Sequence, residues 1–266
     1  MSLTIKKFGQ LEILTAEGIP VPHGFTTRHG GVSTGPLSSL NLALKLDETE
    51  ENIVKNYEIL GSALGFSIDD LVLTYQTHSD IVRVVDRDDC NGCFIRNYPE
   101  CDGLVTNTPG LTLTVFTADC TPLLFHDPVT GAVGAAHAGW RGTASQIGAK
   151  VVRAMAENFG CRPENIRAAI GPNIGLCHFE TDADVPEAMI AAFGEEANRF
   201  IEKRGEKYFL DLKQINALCL RRAGVTHIEI SEECTMCSPD RFWSHRVTKG
   251  VRGSQGAVIV CKEGRK

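Results

Sequence analysis

The chain has 266 residues and a mass of 28.9 kDa, enough for one large domain with a real core. Hydrophobic residues make up 42% and charged residues 23%, with 27 basic against 33 acidic side chains and a net charge of −6. That balance argues against a disordered chain, a nucleic-acid scaffold or a polybasic membrane anchor. No apolar run approaches the roughly 20 residues of a bilayer span, and the N-terminus shows neither an apolar leader nor a cleavage site. The expectation is therefore a cytoplasmic protein without membrane or nucleic-acid partners, its oligomeric state open.

In chain order, the Gly/Ser/Thr-rich residues 22–41 read as a long loop and hence as a site candidate. A helix is predicted after Thr49, with Ile53, Tyr57, Leu60 and Leu64 on one face and Gly65 at its end. Residues 71–75 and 81–85 are predicted strands flanking the polar Gln76-Thr77-His78-Ser79-Asp80. Residues 111–116, 122–126 and 132–137 are further strands, the last two joined by the turn residues Asp127-Pro128-Val129-Thr130-Gly131. Trp140-Arg141-Gly142-Thr143 leads into a helix whose apolar positions are Ile147, Val151, Met155 and Phe159, closed by Gly160. A short strand at 166–170, helices at 184–193 and 212–222, and strands at 226–231 and 256–261 complete the reading. Strands and helices mix without a strict βαβ rhythm, which predicts an α+β fold with mixed sheets flanked by helices.

Three residues carry the chemistry: His78, Cys120 and His137. A hairpin centred between Pro128 and Val129 would set Cys120 opposite His137, with Cβ atoms about 5 Å apart on one sheet face. A bulge at Gly131 would slip that register by one. A His, Cys, His set suits zinc, and three protein ligands leave a fourth position open. Spacing alone keeps two other readings alive: separate buried thiols and histidines, or a metal-free Cys120–His137 nucleophile–base pair.

A series of motifs then follows in order: Thr26-Thr27-Arg28-His29-Gly30-Gly31-Val32-Ser33, Leu40-Asn41-Leu42, Gln76-Thr77-His78, Cys101-Asp102-Gly103-Leu104-Val105-Thr106 and Thr117-Ala118-Asp119-Cys120-Thr121-Pro122. It continues with Ala135-Ala136-His137-Ala138-Gly139-Trp140-Arg141-Gly142, Gly171-Pro172-Asn173-Ile174-Gly175 and Ser244-His245-Arg246. With these the chain resembles the laccase-domain family, polyphenol-oxidase-type proteins associated with purine nucleoside phosphorylase activity. The resemblance implies one family domain over residues 1–266 and a catalytic zinc held by His78, Cys120 and His137. It also implies phosphorolysis of adenosine, inosine and methylthioadenosine, with some adenosine deamination. Copper is an older family attribution, and one branch is connected with editing peptidoglycan precursors. The family fold resembles a deamidating bacterial toxin, a toxin-like cysteine hydrolase, which keeps a Cys–His amidase as the alternative enzyme and a metal-binding regulatory module as the third reading.

Phosphorolysis needs a grip on phosphate, for which Arg28 and Arg141 are the bidentate candidates. Asn41 and Ser244 are candidates for polar substrate contacts, with capping and turn roles competing. Asp102 and Asp119 are candidates for orienting a histidine. A multicopper oxidase is a poor fit, since eight scattered histidines offer no further copper cluster. Of the ten cysteines, the pairs Cys90/Cys93 and Cys234/Cys237 lie too far apart for a zinc ribbon and read as separate thiols. Cys101 and Cys177 are left without a role.

Overall fold

Residues 112–117, 121–126, 133–138 and 255–260 are buried at every position. Strands covered on both faces need a packed layer on each side. The computed structural model describes residues 2–44, 48–94 and 98–262. The first half contains β1 (Thr4–Phe8), β2 (Leu11–Thr15), β3 (His23–Thr26), α1 (Glu50–Leu64), β4 (Leu71–Leu73), β5 (Val82–Val84), β6 (Gly103–Thr106), β7 (Thr112–Thr117) and β8 (Thr121–His126). There follow β9 (Val133–Ala138), α2 (Trp140–Ala144), α3 (Ile147–Phe159), β10 (Arg167–Ile170), β11 (Glu180–Thr181), α4 (Asp184–Phe193) and β12 (Ile201–Arg204). The chain closes with β13 (Lys207–Leu210), α5 (Leu212–Arg222), β14 (His227–Ile230), α6 (His245–Thr248) and β15 (Gln255–Val260).

These elements form an α+β domain. One mixed sheet has the order β1-β2-β3-β15-β7-β4 and a second β14-β10-β8-β9-β6-β5, with a small sheet β11-β13-β12 beside them. Leu113, Val115, Ala257 and Ile259 of the first sheet meet Leu104, Leu124 and Ala135 of the second in one core. Ile53, Tyr57 and Leu60 of α1 cover the outer face of the first sheet. Ile147, Val151 and Met155 of α3 and Leu220 of α5 cover the outer face of the second.

Local signals explain the helix ends. Thr49 caps α1 by accepting from the Asn52 amide, and Gly65 takes the left-handed conformation that closes it. The expected single helix after Trp140 is two, because Gln146 turns left-handed with φ 57° between α2 and α3. The expected loop at 22–41 contains β3, paired with β2 and β15.

The hairpin register also differs from expectation. Pro122, not Cys120, faces His137, and the turn centres between Val129 and Thr130. Asp127 explains this: its side chain accepts from the Val129 amide at 2.8 Å, and its carbonyl accepts from Gly131 at 2.8 Å, with Gly131 at φ 80°. An Asx-type turn replaces the tighter turn expected at Pro128-Val129. Cys120 becomes a diagonal neighbour of His137, two residues from the position opposite it. A two-residue offset preserves the face, so the pair still meets.

Candidate metal centre

At one end of the second sheet, His137 near the end of β9 lies beside Asp102, which immediately precedes β6. The His137 amide donates to the Asp102 carbonyl at 2.8 Å, and its ring Nδ1 lies 2.7 Å from Asp102 Oδ1. The other carboxylate oxygen, Oδ2, accepts from the Thr77 amide at 3.1 Å, the Ser79 amide at 2.8 Å and the Ser79 hydroxyl at 2.7 Å. Those two amides bracket His78, whose φ of 59° turns the chain around the carboxylate. One fully buried aspartate thus positions both histidines. Gln76 anchors the same segment by bonding the Phe116 amide at 2.6 Å and carbonyl at 2.8 Å.

Cys120 enters from the bend before β8, where Asp119 has φ 84°. Asp119 accepts from the Thr235 hydroxyl at 2.6 Å and the Arg246 amide at 2.7 Å. It braces the bend and does not orient a histidine; Asp102 does that work.

One donor atom each from His78, Cys120 and His137 lies within 4.8 Å of the others. The two imidazoles meet edge-on, 4.8 Å between centroids and 73° between planes. Gly139 leaves the space beside His78 and Cys120 open, since a Cβ there would sit 2.8 Å from His78 Nδ1 and 3.3 Å from Cys120 Sγ. One thiol and two imidazoles around a cradle kept clear by glycine fit a borderline ion such as zinc, with one coordination position free. Burial works against a charge on His137, but the charge of Cys120 and the bond to Asp102 outweigh it and push its pKa up to about 9. Burial likewise works against the Asp102 carboxylate, yet its bonds from His137 and Ser79 hold it below the usual range. His137 would hold a metal ion only through a neutral imidazole, so binding there would release a proton.

The other expected site residues fall elsewhere or serve the frame. Arg28 donates to the Ser38 carbonyl at 3.1 and 2.8 Å and to the Pro239 carbonyl at 2.9 Å, and it stacks on Trp243 at 3.8 Å. It clamps two loops together. Asn41 is fully buried, its amide nitrogen bound to Ala43 and Glu48 and its oxygen to the Ala43 and Ser254 amides. No hydrogen-bonding position is left for a substrate. Ser244 is buried and caps α6 by accepting from Val247 at 3.2 Å. Arg141 is exposed and lies over the Trp140 ring, two residues beyond Gly139.

Two features escape sequence reasoning. Arg252 bonds the Gly253 carbonyl and Ser254 hydroxyl, while its buried Nε has no hydrogen-bond partner among the described residues. Burial lowers its pKa, and the charges of Asp119 and Cys120, which it faces, oppose that shift. Neither its position near the C-terminus nor its neighbours Val251 and Gly253 mark it in the sequence. The second feature corrects the expectation of separate thiols at Cys234 and Cys237: both gather with Cys177 and His178, their donor atoms within 4.8 Å of one another. Cys90 and Cys93 join neither group, and Cys101 is buried in the core between the sheets.

Residues 22–262 match the family described as multi-copper polyphenol oxidoreductase laccase. The chain belongs to that family. It is 41% identical over 250 residues to a purine nucleoside phosphorylase of Deinococcus radiodurans, covering 94% of this chain and 92% of that one. It is 39% identical to the purine nucleoside phosphorylase YlmD of Geobacillus stearothermophilus, over 90% of each chain. The crystal structure of YlmD from Geobacillus stearothermophilus superposes with a TM-score of 0.90 at 34% identity, covering 97% of this chain and 99% of that one. Among the described residues, this laccase-type chain has no helix long and apolar enough to cross a membrane. Among the described residues, its His/Cys groups are the three-donor and four-donor clusters above, and neither supplies the multi-histidine set of a copper relay.

Proposed function

We propose that this laccase-type chain, acting as one domain over residues 1–266, is a zinc-dependent purine nucleoside phosphorylase. The observation that carries the reading is the His78–Cys120–His137 cluster, held by Asp102 and opened by Gly139, in a chain similar to proteins of that name. Its substrates are purine nucleosides (adenosine, inosine and methylthioadenosine) together with phosphate. The bond from C1′ to the base nitrogen breaks, a phosphate oxygen bonds C1′, and the base leaves carrying a proton.

His78, Cys120 and His137 would hold a zinc ion, which would supply Lewis-acid polarisation of a substrate oxygen. Asp102 keeps a proton on His137 Nδ1, which directs Nε2 towards the cluster. Arg252, with its unpartnered buried Nε beside Asp119 and Cys120, and the exposed Arg141 are the cations for phosphate. A cleft of about 340 Å³ lined by Leu73, Tyr75, Gln76 and Phe116 offers an apolar face for a purine. It shares Gln76 and Phe116 with the segments that deliver His78 and Cys120. Adenosine deamination belongs to the same centre as a hydrolytic side reaction.

Zinc-loaded protein incubated with inosine and phosphate is expected to release hypoxanthine and ribose 1-phosphate, and to release neither without phosphate. No release from inosine or adenosine would sink the reading.

One observation favours a second enzyme. Cys120, His137 and Asp102 stand in the order of a thiol, its base and the carboxylate that orients the base. A Cys–His amidase acting on peptidoglycan precursors would use those three and leave His78 idle. Its activity would survive chelation.

A further inference from the structure

We propose that Cys177, His178, Cys234 and Cys237 form a second metal site, a closed structural zinc site separate from the His78–Cys120–His137 centre. Cys177 Sγ lies 3.2 Å from His178 Nδ1 and 3.5 Å from Cys237 Sγ. His178 Nδ1 lies 3.4 Å from Cys237 Sγ and 3.7 Å from Cys234 Sγ. For Zn–S near 2.3 Å and Zn–N near 2.05 Å, a tetrahedron has edges of roughly 3.8 Å between sulfurs and roughly 3.5 Å between sulfur and nitrogen. These four distances already stand near that spacing, and all the donors lie within 4.8 Å of one another. A disulfide requires sulfurs about 2.05 Å apart, far closer than Cys177 and Cys237 are.

The surroundings suit a thiolate-rich ion. The Gly175 amide donates to Cys234 Sγ at 3.2 Å. A Cβ on Gly175 would come within 3.4 Å of Cys177 Sγ, so glycine keeps the turn close to the cluster. Zinc with three thiolates and a neutral imidazole carries a net charge of about −1. The buried Lys213 ammonium, bonded to the Glu233 carbonyl at 2.8 Å, faces Cys234 and Cys177 and balances it.

Four protein donors leave no open position, which makes the site one of architecture. Cys177 and His178 follow β10, Cys234 and Cys237 follow β14, and these strands are parallel neighbours. The loops are already laced where Asn173 pairs with Cys234 and its carbonyl accepts from the Thr235 amide at 2.9 Å. Thr235 in turn donates to Asp119, the residue before Cys120. A zinc ion here staples two loops and, through Thr235, steadies the bend that presents Cys120.

The test is zinc stoichiometry by native mass spectrometry and elemental analysis of zinc-loaded protein. Wild type is expected to hold two ions per chain, His78→Ala one, and Cys177→Ser/Cys237→Ser one with a lowered melting temperature. If the double variant does not fold, cobalt-loaded His78→Ala answers the same question, since three thiolates give a far stronger sulfur-to-cobalt charge-transfer band than one. The proposal is overturned by a single zinc in wild type that His78→Ala abolishes. It is equally overturned by a Cys177–Cys237 disulfide, seen as a mass lower by two hydrogens. Zinc counts at this cluster do not depend on phosphorolysis, so either reading can fail without the other.

Discussion

The two sulfur–nitrogen clusters sit in one chain and are built differently. The centre of His78, Cys120 and His137 has three donors, a buried carboxylate behind the histidines and a glycine facing the gap. The cluster of Cys177, His178, Cys234 and Cys237 has four donors, a backbone amide on one sulfur and no carboxylate on its histidine among the described hydrogen bonds. An incomplete ligand set aimed by a rigid carboxylate suits chemistry, and a complete set lacing two loops suits stability.

Asp102 is where that contrast breaks most easily. Asp102→Ala removes the partner of His137 and the acceptor for Thr77 and Ser79. Zinc affinity at the first centre is expected to fall about 10–100-fold, and turnover at least as far, while the second cluster keeps its ion. Metal titration with a competing chelator checks this, and wild-type affinity would refute the carboxylate's role.

The arginines come next. Arg252→Ala is expected to raise the phosphate KM about tenfold, the loss of one charge-assisted contact of about 1.4 kcal/mol or more. Arg28→Ala should leave that KM unchanged and cost about 1–2 kcal/mol of stability, because Arg28 bonds loop carbonyls and stacks on Trp243. Steady-state kinetics with phosphate varied, beside denaturant melts, separate the two; equal effects on KM would contradict the assignment.

Glycine substitutions sharpen the comparison further. Gly139→Ala places a Cβ 2.8 Å from His78 Nδ1, whereas Gly175→Ala brings one only to 3.3 Å from the Cys234 Cβ. The first is expected to cost zinc and turnover at the catalytic centre, and the second a few degrees of melting temperature with activity retained. The reverse pattern would exchange the roles of the clusters.

A further contrast lies in the pH dependence of stability. Burial lowers His126 to about 4, and its Nδ1 is buried without a hydrogen-bond partner among the described residues. The unfolded chain protonates this histidine first, so stability is full above about pH 6.5 and falls on acidification towards pH 4, by an amount on the order of 3 kcal/mol. His137 has the opposite sign in metal-free protein: raised to about 9, it stabilises below pH 6.5 and loses that contribution as pH climbs through 9. Denaturant melts of His126→Gln should flatten the acid side alone.

What the sequence shows depends on how local each signal is. The helices at 184–193 and 212–222 coincide with their predicted spans, because periodicity and chain punctuation lie within them. The exposed edge strand Thr4–Phe8 carries no apolar alternation and passes unnoticed. The Asx turn at Asp127 shifts the hairpin register, yet Cys120 and His137 still meet because the shift preserves parity. Asp102 was legible as a partner for a histidine, whereas its hold on both sides of His78 needs the turn at φ 59°. Arg252 and the Cys177–Cys237 cluster are assembled by tertiary contacts between distant segments, which no spacing rule reports.

The central claim is that His78 is a ligand and not a bystander to a Cys120–His137 pair. The direct measurement is bound zinc, thermal melting and phosphate-dependent release of hypoxanthine for His78→Ala beside His137→Ala. The account predicts that both variants still fold, His137→Ala melting lower because it leaves Asp102 unpaired, and that both lose the catalytic zinc and fall silent, since a three-donor site that loses one donor cannot keep the ion in the same geometry. A His78→Ala protein that keeps that zinc and near-normal turnover, with only His137→Ala dead, would contradict it.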